Sequence, residues 1–139
     1  MAIKFNEPIG PATVGPLFLR LPLGGFFLLA GYSKLHMLSA FVEQVQSFGV
    51  TSPNLASLYA VMLPYIEMFV GGAFILGLWT TLGGIMSLLL LGSYIFAFGV
   101  FPGAHAIFNK DLILFGAACS LLYTGPGPYS IDKVRKADG

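Results

Sequence analysis

LFLRLPLGGFFLLAGYSK, Leu17 to Lys34, is apolar enough to cross a bilayer yet carries a cation near each end. Arg20, Gly24, Phe27, Gly31 and Lys34 follow one another at steps of four, three, four and three. At about 100° per residue they share one side of a helix. The glycines allow a second helix to approach closely. The cations then face that helix instead of lipid. A cation inside a span costs roughly 3 kcal/mol or more without a partner, so the rest of the chain is expected to supply partners.

Composition agrees with a bilayer as solvent. Of 139 residues, 56% are hydrophobic and 9% charged, against about 25% charged in soluble domains. The net charge of +1 argues against nucleic acid as a partner. The single cysteine, Cys119, excludes an internal disulfide and a dithiol relay. The segment before the first apolar run is not strongly basic, and GYSKLHM offers no small-residue cleavage site, so the run reads as a retained helix.

Taken in order, the chain predicts an all-α integral membrane bundle of four transmembrane helices in one domain. The spans are expected over 14–37, 55–79, 82–101 and 107–123. Between the first two, 38–49 is amphipathic, with Leu38, Phe41, Val42, Val45 and Phe48 opposite Glu43, Gln44, Gln46 and Ser47. It fits a helix in the membrane interface, and equally a connecting helix packed on the bundle. The Gly125-Pro126-Gly127-Pro128 run stops the last span. Four spans put both termini on one side, with Lys4, Lys133, Arg135 and Lys136. The opposite side has Lys34 and Lys110, so both termini are expected in the cytoplasm and the chain in the inner membrane.

Glu67 lies mid-way along the second span, on a face with Ala60, Pro64, Gly71 and Phe74. Counted from the outer surface at about 1.5 Å per residue, Glu67 lies about 18 Å down and Arg20 about 25 Å down. These two are expected to pair, with Tyr94 of the third span in the same buried ligand or charge network. Lys34, about 4 Å down, and Asp111, about 6 Å down, are expected to meet in an outer-rim cluster with His36 and His105. A buried pair of this kind can fix helix register or serve a ligand or proton, and both readings stand. No metal site, covalently bound cofactor or self-contained catalytic centre is expected. A quinone or a lipid suits a pocket between helices near Arg20 and Glu67.

Three groups of residues carry a family resemblance. They are Arg20 to Lys34; Pro64-Tyr65-Ile66-Glu67 with Gly71-Gly72 and Leu76 to Thr80; and Gly125 to Asp132. In this order and spacing the chain resembles the DoxX family. The resemblance implies a four-helix inner-membrane protein with recurrent polar positions at Arg20, Lys34 and Glu67. That family is named for a membrane subunit of a thiosulfate:quinone oxidoreductase. Thr80-Thr81 departs from the Thr-Arg that its members often carry. The function expected first is an accessory subunit of a membrane redox complex, with lipid and other membrane subunits as partners and a homo-oligomer open. A purely structural assembly subunit is the alternative, and a small transporter or proton pathway ranks below both.

Overall fold

A computed structural model describes residues 8–98 and 110–138. It contains a short 3-10 turn, Ala12–Val14, and six α-helices. These are α1 (Gly15–His36), α2 (Leu38–Ser47), α3 (Pro53–Leu76), α4 (Thr80–Phe98), α5 (Lys110–Thr124) and α6 (Ile131–Asp138). Among the described residues, three helices are long and apolar enough to cross a membrane: α1 with the turn before it, α3, and α4 to Ala97. The expected count of four is not reached. The fourth candidate is α5, whose 15 described residues extend about 22 Å, short of the roughly 30 Å hydrocarbon core. The ends of the expected third and fourth spans at 99–101 and 107–109, and His105, lie outside the described residues.

The antiparallel pair α1–α3 is the spine. A Cβ built on Gly24 would lie 2.9 Å from the Gly71 carbonyl oxygen, and one on Gly31 would lie 2.6 Å from that of Pro64. Only a missing side chain permits such an approach. Phe27 and Phe74 are fully buried beside these contacts, their ring centroids 6.4 Å apart. Leu90 and Leu91 of α4 and Ala118 and Leu121 of α5 extend the same core. α1 continues through Pro22, whose ring faces outward.

α2 lays Phe41, Val42 and Val45 on the core and leaves Glu43, Gln44, Gln46 and Ser47 exposed. It is therefore packed on the bundle, which its amphipathic pattern allowed. α3 stops at Gly77, which adopts φ 67°, earlier than the Trp79 expected from hydropathy. A Cβ on Gly77 would lie 2.4 Å from Arg20 Nη1 and 2.4 Å from Ser130 Cβ, so both conformation and space require glycine here. The polar tail forms a helix, α6, which the sequence reading did not anticipate. Its signal was Ser130, whose Oγ accepts a 3.3 Å hydrogen bond from the Lys133 N–H as an N-cap.

Candidate functional site

The buried charges separate into two clusters at opposite ends of the α1–α3 spine. Near the α2 end, Lys34 Nζ donates to both carboxylate oxygens of Glu67 at 2.7 Å and to the Tyr94 hydroxyl at 3.2 Å. The Tyr94 O–H donates in turn to Glu67 Oε1. Three ammonium protons thus meet three acceptors, and the hydroxyl both accepts and donates. Glu67 has no exposed surface, whereas the Lys34 side chain keeps 21% of its own. The ammonium also lies 4.9 Å from the Tyr94 ring centroid and 5.6 Å from that of Phe41.

Near the other end, Arg20 is 1% exposed. Its guanidinium donates to the carbonyl oxygens of Pro126 at 2.7 Å, Tyr129 at 2.9 Å and Pro128 at 3.5 Å. Asp132 adds electrostatic attraction. Its carboxylate accepts from the Trp79 N–H at 2.9 Å and the Thr80 N–H at 2.7 Å, while the Asp132 N–H donates to the Gly77 carbonyl at 2.9 Å. The Gly125–Asp132 segment is therefore a strap that takes both terminal nitrogens of Arg20, leaving its buried Nε without a partner, and closes the α3–α4 turn.

This arrangement corrects the expected Arg20–Glu67 pair. Arg20 stands level with Gly77, and ten residues of helix, about 15 Å, separate that level from Glu67. The depth count assumed that the α1 and α3 ends lie in one plane. The Gly24–Gly71 contact sets a different register, in which the start of α3 projects about two turns past the end of α1 to support α2. Lys34 is thereby set to reach Glu67. His36 is exposed and stacks edge-on against Tyr32, with centroids 4.6 Å apart. Lys110 Nζ lies 3.5 Å from Asp111 Oδ1.

A cavity of ≈ 320 Å³ opens beside the Lys34 network. Lys34, Tyr94, Asp111, Lys110, Gln44 and Ser33 supply its polar groups, and Phe26, Met37, Ala40 and Phe41 its apolar wall. Lys34 and Asp111 thus share a cavity, and Asp111 also lies beside its chain neighbour Lys110. With Glu67 behind Lys34, the two ion pairs at the cavity, Lys34–Glu67 and Lys110–Asp111, balance in charge among the described residues. Such a lining can donate a hydrogen bond to a ligand oxygen when Lys34 exchanges its longest contact, the 3.2 Å one to the Tyr94 hydroxyl, for the ligand, and it does not demand a full negative charge. Among the described residues, no cluster of His, Cys, Asp and Glu is placed to hold a metal ion.

The residues that sequence reasoning missed are backbone carbonyls and one helix. Carbonyls in a Gly-Pro-Gly-Pro run have no helical partners, so they are free acceptors for a buried cation. That signal was present in the sequence. The placement of Gln44 and Phe41 of α2 over the cavity carried no such signal, because an amphipathic helix can lie on lipid or on protein.

Residues 13–105 match the family of methylamine utilisation protein MauE. The chain belongs to the MauE family. This corrects the DoxX resemblance, for which no family match was found. The Arg20–Lys34 run and the Pro64–Thr80 motif fall inside the MauE match, and the closing Gly125–Asp132 motif falls beyond it. Glycines at helical spacing around buried charges are what any close helix pair needs in a membrane, so these motifs do not separate one such family from another. The inner membrane protein YqjF of Escherichia coli strain K12 is 28% identical over 127 residues, covering 87% of this chain and 92% of that protein. No solved structure gives a significant match. The three long apolar helices make the chain a multi-pass membrane protein, in keeping with this inner-membrane relative.

Proposed function

We propose that the chain is an accessory subunit of an inner-membrane redox system, lending a pocket for a neutral amphipathic ligand to partners that hold the reaction centre. The observation that carries this reading is that Lys34 and Tyr94, both anchored on buried Glu67, line one cavity. Its volume of ≈ 320 Å³ falls at the lower end of the roughly 300–1,000 Å³ of small-molecule sites. A charge-balanced lining favours a carbonyl-bearing ring such as a quinone over a free carboxylate or phosphate. The family name supplies a setting. Methylamine is used most simply by oxidising it, and the released electrons need an acceptor such as a membrane quinone. In this arrangement the chain crosses the membrane a fourth time. Both termini then share the face carrying Lys133, Arg135 and Lys136, which the positive-inside rule puts in the cytoplasm.

The test is equilibrium binding of a short-chain quinone to the full chain in mild detergent, with mass analysis of copurifying proteins. Saturable binding is expected, weakened on the order of tenfold or more by Lys34→Gln, as loss of a hydrogen bond from a charged donor implies. Absence of both saturable binding and a copurifying partner sinks the proposal. A second reading, a structural module, is favoured by one observation: every Lys34 ammonium proton already has an acceptor inside the protein. Glu67→Gln separates the two. Intact assembly with impaired ligand binding supports the pocket, and collapse of assembly with no separate binding defect supports the structural role.

A further inference from the structure

At the end of the bundle remote from Lys34, α6 borders two clefts. The larger, of ≈ 740 Å³, lies between α6 and the start of α4 and is lined by Trp79, Thr81, Leu82, Ile85, Arg135 and Lys136, among others. The smaller, of ≈ 440 Å³, brings Lys133 and Lys136 beside Thr13 and Pro16. Lys133, Arg135 and Lys136 are exposed, and none forms an ion pair among the described residues. The acidic group at the larger cleft, Asp132, has both oxygens occupied by the Trp79 and Thr80 N–H groups. Asp132 still attracts Arg135, but with its oxygens taken up at the start of α4 it forms no ion pair with the α6 cations among the described residues, and they are left to face the cleft.

The floor of this cleft is of a different kind. Leu82 and Ile85 belong to the first turns of a membrane-crossing helix, and Leu89 continues the same exposed apolar face. Trp79, half exposed, marks the boundary between the two zones. Cations above, an indole at the boundary and a strip of apolar surface running down the span match the parts of a phospholipid in order. A soluble anion would satisfy Arg135 and Lys136 but leave Leu82 and Ile85 uncovered.

We propose that this cleft binds an anionic phospholipid, with its phosphate between Arg135 and Lys136, the Thr81 hydroxyl available to the headgroup, and an acyl chain along Leu82, Ile85 and Leu89. The site is independent of the Lys34 cavity and rests only on the membrane-spanning fold. It would fasten α6 to the bilayer surface, and with it the strap that covers Arg20.

The experiment is native mass spectrometry of the full chain in mild detergent, titrated with phosphatidylglycerol or with phosphatidylcholine of the same acyl chains. Phosphatidylglycerol should be retained on the order of tenfold more strongly, as two surface cations imply. R135Q/K136Q should lose that preference, while R135K/K136R keeps it. Far-UV circular dichroism checks that both variants are folded. Equal retention of the two lipids, or an undiminished preference in folded R135Q/K136Q, overturns the proposal. Competition by inorganic phosphate at the concentration at which the lipid binds also overturns it, since the site would then read the headgroup charge alone.

Discussion

The Lys34 ammonium stands 2.7 Å from each carboxylate oxygen of Glu67, and the Tyr94 hydroxyl bonds to both residues. Glu67 is wholly buried, so this contact is its compensation for leaving water. Breaking a buried pair from one side typically costs about 3–5 kcal/mol, while replacing both partners with apolar residues is often far milder. Lys34→Met should therefore destabilise the chain by about 3 kcal/mol, and Lys34→Met with Glu67→Leu should recover a good part of it. Reversible unfolding in detergent, followed by circular dichroism, measures both. Additive losses would mean that the two side chains do not act as a pair.

Arg20 poses a different requirement. Its acceptors are three backbone carbonyls of the strap, arranged for a planar fork. A lysine keeps the charge but supplies one point donor on a flexible stem. Arg20→Lys should cost about 1–3 kcal/mol, from lost charge-assisted hydrogen bonds. It should also make the chain cleavable by protease within Gly125–Tyr129 at concentrations that leave the parent intact. Limited proteolysis with mass mapping of the fragments checks this. Unchanged protection of the strap would show that the carbonyl contacts do not hold it.

These two clusters show what could be read from residues alone. The Gly24–Phe27–Gly31 stripe was legible because helical spacing fixes which side chains share a face, and burial in a membrane then requires a close partner. The identity of each charge partner was not legible. Facing is a property of one helix, but pairing depends on the offset between two, and that offset is set by the Gly24–Gly71 contact and by the room α3 leaves for α2. Arg20 was the harder case, since its acceptors are main-chain oxygens and no acidic residue announces them. The fourth crossing was read from composition around Ile107 to Tyr123, whereas the described part of α5 alone does not reach across a bilayer.

Asp132 should make the strap sensitive to acid. Burial opposes its charge, but hydrogen bonds from the Thr80 and Trp79 N–H groups, with Arg135 nearby, outweigh burial and hold the carboxyl below its ordinary 3.8. A carboxyl whose folded value is depressed contributes stability that is complete above its unfolded value and disappears as pH falls through its folded value. The contribution should thus be constant at neutral pH and fade below about pH 4. Asp132→Ala should cost about 1–2 kcal/mol at pH 7, comparable to loss of a helix N-cap, because the N–H groups it serves lie at the start of α4. Thermal midpoints of parent and variant, compared from pH 7 to pH 3, should converge toward the acid end. A gap that is constant across this range would assign the effect to packing.

Gly71 and Gly72 are adjacent glycines with opposite expected behaviour. A Cβ on Gly71 would lie 2.6 Å from the Leu28 backbone nitrogen and 2.7 Å from the Gly24 carbonyl oxygen, while one on Gly72 meets nothing within 4 Å. The obstacles at Gly71 are main chain, so no rotamer change can relieve them and α1 must move away from α3. Overpacking of this kind costs about 1–3 kcal/mol. At Gly72 an added methyl group only gains helix propensity, worth up to about 1 kcal/mol. Gly71→Ala should therefore lower the unfolding free energy in detergent, and Gly72→Ala should leave it unchanged or raise it. The displacement of α1 should also reach Lys34, so Gly71→Ala ought to reduce the coupling between Lys34 and Glu67 in a double-mutant cycle. Equal effects at the two glycines would contradict the α1–α3 register on which the placement of both buried charge clusters depends.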